Sequence, residues 1–449
     1  MAIWILLLAF LLYAVFSSVT VWRSGVPGPW YNNVSSLVLK YQEWTRRRRQ
    51  YVHRLHSVYG PVVRLAPNEL SFANLEGLKE IYQSGGSGYE KTEFYDMFKQ
   101  YDHRTMFSML GREEHSQRKK LFAERYAMTN IARPDVLEGI AARAAAVVSK
   151  CRDSIGGHLD AYWTLHCYAI DGVSHLLFNP GGTDTLNDPK QREYISELTY
   201  YDNYRARLIE MYMPFIAAIT DWFCPPALLQ SQRYVLAQAE GASVAPAAVL
   251  HRLQNADLQP IQAAAECMDH MAAGIETTGD GLCFLMHELS LPRSRHIQEK
   301  LRAEFCQNPA TRLDDLQYLD AVVREGLRRF PPIPMSLPRT IVSCSAYSLH
   351  LLNEDVFPDA CVFRPERWLD KDKLPAMNRL FFTFSAGGRG CVGRNLALLE
   401  MKMLIREVYT RFRTSLPPEM QHEMEVDDQV VASRPKNFKA LLTFEEAPI

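Results

Sequence analysis

Phe384-Ser385-Ala386-Gly387-Gly388-Arg389-Gly390-Cys391-Val392-Gly393-Arg394-Asn395-Leu396-Ala397 sets three glycines before a lone cysteine and opens a helical pattern after it. Glycine permits positive φ and lets a flat, rigid ligand approach the backbone closely. The loop amides and the N-terminus of the following helix can stabilise a thiolate, the form of cysteine that binds iron. Arg389 is placed to pair with a carboxylate of such a ligand, and Phe384 to pack on its ring and keep water from the sulfur.

Working outward, Glu266-Cys267-Met268-Asp269-His270-Met271-Ala272-Ala273-Gly274-Ile275-Glu276-Thr277-Thr278-Gly279-Asp280-Gly281 opens a long apolar helix that continues through Leu289. Mid-helix glycine costs about 1 kcal/mol against alanine, and a buried carboxyl costs more unless it finds a partner. Gly274, Glu276 and Thr277 are therefore expected to serve chemistry, while Asp269 and His270 read as surface or network residues. Between the two stretches, Arg324-Glu325-Gly326-Leu327-Arg328-Arg329-Phe330-Pro331-Pro332 puts Glu325 and Arg328 on one helical face before a helix-ending Pro-Pro. Phe363-Arg364-Pro365-Glu366-Arg367-Trp368 follows.

Together these segments resemble the cytochrome P450 superfamily, in the flavour of fungal microsomal monooxygenases of secondary metabolism. The cysteine segment fills the family loop FxxGxRxCxG with Phe384, Gly387, Arg389, Cys391 and Gly393. The helix is similar to the oxygen-binding motif (A/G)Gx(D/E)T(T/S) at Ala273, Gly274, Glu276, Thr277 and Thr278, and the ExxR and PERW elements recur. The resemblance implies a cytochrome P450 fold, mainly α with a small β-sheet, and haem b whose iron is axially ligated by Cys391. It assigns Thr277 a hydrogen bond to dioxygen, Glu276 a proton relay, and Gly274 a local opening of the helix. Glu325, Arg328 and Arg367 become a buried triad that locks the cysteine loop. Arg389 and Arg339 become partners of the haem propionates, joined by His115 and Lys119, which stand where relatives carry a WxxxR helix.

The activity implied is insertion of one oxygen atom of O₂ into an apolar small molecule. Electrons would come from NADPH through NADPH-cytochrome P450 reductase, with cytochrome b5 as an additional partner. A rival from the same residues is a haem-thiolate isomerase or dehydratase, which needs no proton relay and is disfavoured by Glu276-Thr277. Another is a catalytically silent membrane haem protein.

Bulk properties agree with an enzyme of this kind. The 449 residues are 47% hydrophobic and 22% charged, enough for a large core. Fifty basic and 51 acidic residues give a net charge of −1, which provides no global field for nucleic acid. Nine cysteines without CxxC or zinc spacing suit reduced thiols facing the cytosol. Ala2 to Trp22 carry no charge and, at about 1.5 Å per residue, suffice to cross roughly 30 Å of hydrocarbon as one transmembrane helix. Arg23 and Arg46-Arg47-Arg48-Arg49 follow it, so the expected topology is single-pass in the endoplasmic reticulum membrane with the catalytic domain, residues 23–449, in the cytosol.

Within that domain, residues 62–65 and 69–73 read as two short strands, and 137–150, 161–178, 261–290 and 392–412 as helices. Thr340 to His350 reads as a strand. It departs from the family, because Arg339 joins it directly where relatives insert a hairpin that floors the substrate pocket. To this shortening the silent reading owes its support.

Overall fold

The computed structural model describes residues 23–86, 88–199, 204–223, 227–241, 243–256, 258–335 and 342–447. The expected anchor, Ala2 to Trp22, and Arg339 lie outside the described residues. Among the described residues, no helix is long and apolar enough to cross a membrane.

Helices dominate, as the periodicity predicts. After α1 (Leu37–Trp44) and α2 (Arg48–Tyr59), strands β1 (Val62–Ala66) and β2 (Glu69–Phe72) pair antiparallel, Val62 opposite Phe72 and Arg64 opposite Leu70. Pro67-Asn68 makes the turn. Helix α3 (Leu75–Gln83) starts at Asn74, whose side chain accepts the Gly77 N–H at 3.0 Å. Next come α4 (Arg112–Lys120), α5 (Pro134–Asp153), β3 (Leu159–Asp160), α6 (Ala161–Phe178), α7 (Tyr204–Tyr212) and α8 (Pro214–Phe223).

The centre of the molecule is α9 (Pro260–Ser290), 31 residues long. Pro260 occupies its first turn, where a missing N–H costs nothing, and Gln259 and Gln262 close a capping box around the entry. Helix α9 is buried along most of its length, including six of its acidic and histidine side chains, Glu266, Asp269, His270, Asp280, His287 and Glu288. It packs against α6, α10 (Gln317–Arg329) and α12 (Arg394–Arg411). Leu176, Leu282, Leu285, Val322, Leu404 and Val408 meet in one core there, each worth about 1.5–3 kcal/mol relative to exposure.

The single small sheet expected from sequence is divided into three: β1-β2-β4, β3-β8-β5 and β6-β7. Here β4 is Val342–Cys344, and β5 to β8 are Phe412–Ser415, Val426–Asp428, Ser433–Pro435 and Leu441–Glu446. The predicted strand through His350 is corrected by the structure. It ends at Cys344, where the Ser345 side chain accepts the Ser348 N–H at 3.2 Å and caps a helix, α11 (Ala346–Leu352). β4 pairs parallel with β2, Leu70 opposite Val342, and is an edge of its sheet among the described residues.

Candidate active site

The cysteine loop is held from several sides. Gly387 has φ 68°, and a Cβ there would lie 2.2 Å from the Tyr82 carbonyl oxygen at the end of α3, so glycine alone fits. The Cys391 N–H donates to the Phe384 carbonyl at 2.9 Å, and Gly390 N–H to the Gly387 carbonyl at 2.9 Å. Lys119 Nζ donates to the carbonyls of Gly388 and Gly390 at 3.0 and 3.1 Å. Burial holds the Cys391 thiol above its ordinary value, while the Gly393 and Arg394 amides and the Lys119 and Arg394 charges pull it down. A coordinated cation displaces a thiol proton outright.

Cys391 opens on a cavity of about 250 Å³. Gly390, Gly393 and Phe384 line it together with Ala273, Gly274 and Thr277 of α9, and with Tyr95, Met106, Phe107, Val173 and Ile333. Of the four basic side chains expected to face a ligand carboxylate, His115 and Arg389 reach this cavity. Arg389 also donates to the carbonyls of Met109 and Leu110 at 3.1 and 2.6 Å. Lys119 is instead spent on the loop carbonyls, and Arg339 lies outside the described residues. Lys91, which belongs to no spacing pattern, lines the cavity too; its ammonium donates to the Phe107 carbonyl and lies 4.0 Å from the Tyr95 ring centroid.

On α9 the two expected catalytic residues point differently. Thr277 lines the cavity, its hydroxyl donating to the Ala273 carbonyl at 2.9 Å. Glu276 turns away from the cavity wall to Arg434, whose Nη2 donates to it at 2.5 Å while Nη1 donates to the Thr199 carbonyl at 3.1 Å. Burial raises the Glu276 carboxyl above its ordinary value; the Arg434 charge opposes that and Asp280 adds to it. The helix stays continuous at Gly274, where a Cβ would come within 2.9 Å of Val173 on α6. Glycine there allows close helix packing beside the cavity, and the local opening expected at Gly274 does not interrupt the helix.

Asp269 and His270, expected at the surface or in a network, are buried and line the cavity, and His270 Nδ1 is 2.9 Å from the Tyr126 hydroxyl. Burial pushes Asp269 up to about 7 and His270 down to about 4. Helical periodicity could have found Asp269, which lies four residues before Ala273 and eight before Thr277 on one face.

The scaffold beneath the loop is a network around Glu325. Arg328 donates to both of its oxygens at 2.8 Å, Arg367 Nε at 3.1 Å, Trp368 Nε1 at 3.0 Å and the Arg364 amide at 2.9 Å. Glu325 and Arg328 are fully buried. Such a charge set is tolerable only because every oxygen lone pair in it is engaged. Thr383 in turn donates to the Leu327 carbonyl at 2.9 Å, tying the start of the loop to α10.

The model of the family described as cytochrome P450 matches residues 25–344 and 340–442. The chain belongs to the cytochrome P450 family. It is accordingly an oxidoreductase of the cytochrome P450 kind, and the identification made from the cysteine loop stands. The chain is similar to the cytochrome P450 monooxygenase stcB of Emericella nidulans, 27% identical over 93% of this chain and 88% of the relative. It is also similar to the monooxygenase orf2 of Aspergillus niger, 26% identical over 89% and 88%, and to FGM1 of Gibberella zeae, 24% identical over 94% and 92%. The match falls into two stretches that overlap at 340–344, directly after Arg339, where the expected hairpin is missing.

The residues of this cytochrome P450 fit a haem. Its donor set is one sulfur, since among the described residues no group of three or more His, Cys, Asp or Glu side chains could hold a metal ion. A single thiolate suits an iron that brings its own ring nitrogens. Gly390 and Gly393 keep the wall beside the sulfur low, and a Cβ on Gly393 would stand 3.9 Å from Cys391 Sγ. The ammonium of Lys91, the guanidinium of Arg389 and a ring N–H of His115 are donors that suit the carboxylates of the ring.

Proposed function

We propose that the protein is a haem-thiolate monooxygenase that inserts one oxygen atom of O₂ into an apolar small molecule, an intermediate of fungal secondary metabolism. NADPH, through NADPH-cytochrome P450 reductase, supplies the two electrons, and cytochrome b5 is a further electron-transfer partner. The balance is substrate C–H, O₂, NADPH and a proton giving C–OH, water and NADP⁺. The observation that carries the reading is that Cys391 and Ala273, Gly274 and Thr277 of α9 line one apolar cavity. Haem b, bound through Cys391, supplies the dioxygen chemistry, which a thiolate ligand favours.

The chain's own side chains divide the remaining work. Phe384 and Val392 exclude water around the sulfur, and His115, Lys91 and Arg389 hold the ring carboxylates. Arg339 joins them in this reading, while Lys119 and Gly387 fix the height of the loop. Tyr95, Phe107 and Val173 bind an apolar substrate by excluding water. Thr277 holds a hydroxyl at the cavity edge. Glu276 stores a proton behind the helix and passes it inward through water when its side chain leaves Arg434. Replacing Glu276 by Gln is expected to lower product formation about 100-fold while NADPH oxidation continues and hydrogen peroxide accumulates. Unchanged coupling of NADPH to product would remove Glu276 from the proton path.

A membrane location, single-pass in the endoplasmic reticulum with a cytosolic body, draws support from two features. Ala2 to Trp22 carry no charge. On the described surface, Leu37 and Tyr41 of α1 and Phe215, Ile219, Trp222 and Phe223 of α8 are exposed, Trp222 by 85%. Tyr204 and Tyr212 of α7 both donate to Glu43, tying α7 to α1. Exposed apolar area of this kind marks an interaction surface.

The test is reconstitution of the full chain with haem, reductase and NADPH under isotopically labelled dioxygen, against a panel of apolar terpenoids, polyketides and fatty acids. One labelled oxygen in a product, dependent on NADPH, is the expected result. Rearrangement of an oxygenated substrate without NADPH would instead favour the isomerase reading.

A further inference from the structure

We propose that His350 is a positioning residue that couples the buried Glu325–Arg328 pair to the cysteine loop, an inference that rests on the haem-thiolate reading above. His350 lies on α11, fully buried. Its Nδ1 is 3.0 Å from the Arg328 carbonyl oxygen and its Nε2 is 2.9 Å from the Phe382 amide nitrogen. An amide N–H can only donate, so Nε2 accepts; Nδ1 then carries the proton and donates to Arg328. Arg328 returns the contact, its Nη1 donating to the His350 carbonyl at 3.2 Å. The ring also lies against Phe381, centroids 5.7 Å apart and planes 15° from parallel.

Phe382 is where the loop begins. Its carbonyl accepts the Ser385 N–H at 3.0 Å, and two residues on the Phe384 carbonyl accepts the Cys391 N–H at 2.9 Å. A bonded series therefore runs from Glu325 through Arg328 and the imidazole to Phe382, and on through the loop to the amide of Cys391. The series works only with a neutral ring, because a second ring N–H would meet the Phe382 N–H donor to donor. Burial and the Arg328 charge keep it neutral, pushing His350 down to about 3. Shifting Phe382 moves the Phe384 carbonyl, and with it the amide that fixes the direction of the Cys391 sulfur. Partners of a ligand at this remove tune its donor strength as well as its place.

His350→Leu keeps the volume apolar and leaves the Phe382 N–H and the Arg328 carbonyl without their partner. His350→Gln offers one N–H and one C=O at nearly the spacing of the ring nitrogens and can satisfy both. The full chain, produced with haem supply, is examined as wild type and as each variant by the reduced carbon-monoxide spectrum, by the rate of haem transfer to an excess of apomyoglobin, and by the thermal midpoint. His350→Leu is expected to lose haem about tenfold faster and to shift part of its carbon-monoxide complex from the thiolate band to the shorter-wavelength band of a lost or protonated thiolate. His350→Gln is expected to keep the wild-type band and rate. A lower thermal midpoint alone, with band and haem loss as in wild type, would overturn the proposal, since it would mark a merely structural histidine. Equal damage in both variants would overturn it too. Should His350→Leu not accumulate, His350→Asn, whose shorter amide reaches one partner at a time, is read against the same two outcomes. A wild type without a thiolate band would instead refute the haem-thiolate reading itself.

Discussion

Cys391→Ala is expected to erase the red-shifted Soret band of the reduced carbon-monoxide complex and to bring monooxygenase activity to background. Removing an outer partner of a metal ligand already costs about 10–100-fold, and here the ligand itself goes, so a loss beyond about 100-fold is the minimum. The fold should survive, because Cys391 faces the cavity and not the core. Away from the core a truncation of this size changes stability by about 0.5 kcal/mol or less. The reduced carbon-monoxide spectrum, recorded beside a thermal melt, separates the two effects. A variant that keeps the thiolate band would move the ligand to another residue and undo the assignment of the site.

The second large effect is expected at Glu325, and its signature is the reverse. Glu325→Ala leaves Arg328, which has no solvent exposure, and the nearly buried Arg367 without their carboxylate, and strands the indole N–H of Trp368. Removing one partner of a buried ion pair costs about 3–5 kcal/mol, against about 5–15 kcal/mol for a whole domain. The protein is expected to accumulate poorly, to melt well below wild type, and to take up little haem. Because Arg328 also donates to the His350 and Ala360 carbonyls, its displacement would carry α11 and the loop with it. Chemical denaturation of whatever folds is the measurement. A Glu325→Ala protein with wild-type stability would show that the triad is not what holds the loop to the body.

Seen in the sequence alone, Glu325 and Arg328 were an ordinary pair one turn apart. What marked them was the Pro-Pro stop and the Pro365-Glu366-Arg367-Trp368 stretch, read by resemblance. The network itself confirms neither a catalytic role nor a need for one; its members touch each other and the backbone, not the cavity. His350 carried no signal of its own, lying in a stretch that read as strand. Its buried ring comes to matter only when α11 turns it between Arg328 and Phe382, residues far apart in the chain.

The helical architecture, the β1-β2 hairpin and the cysteine loop were legible in the chain before any packing was known. These are local: α6 and α9 follow from apolar residues recurring every three or four positions, and the loop from glycines whose backbone freedom a chain of L-residues cannot otherwise supply. Resemblance to the oxygen-binding motif put Thr277 at the site, and it lines the cavity. Only the tertiary structure decided where the charged side chains of the site spend their bonds. Lys119 turned to the Gly388 and Gly390 carbonyls because the loop brings two bare acceptors within its reach. Glu276 turned to Arg434, 158 residues away, because a carboxyl in a packed interior goes to the nearest cation, and which cation is nearest is a property of the packing. The same packing brought Lys91 to the cavity wall. Periodicity records which face of an element is buried; it carries no record of what lies on the other side of the contact.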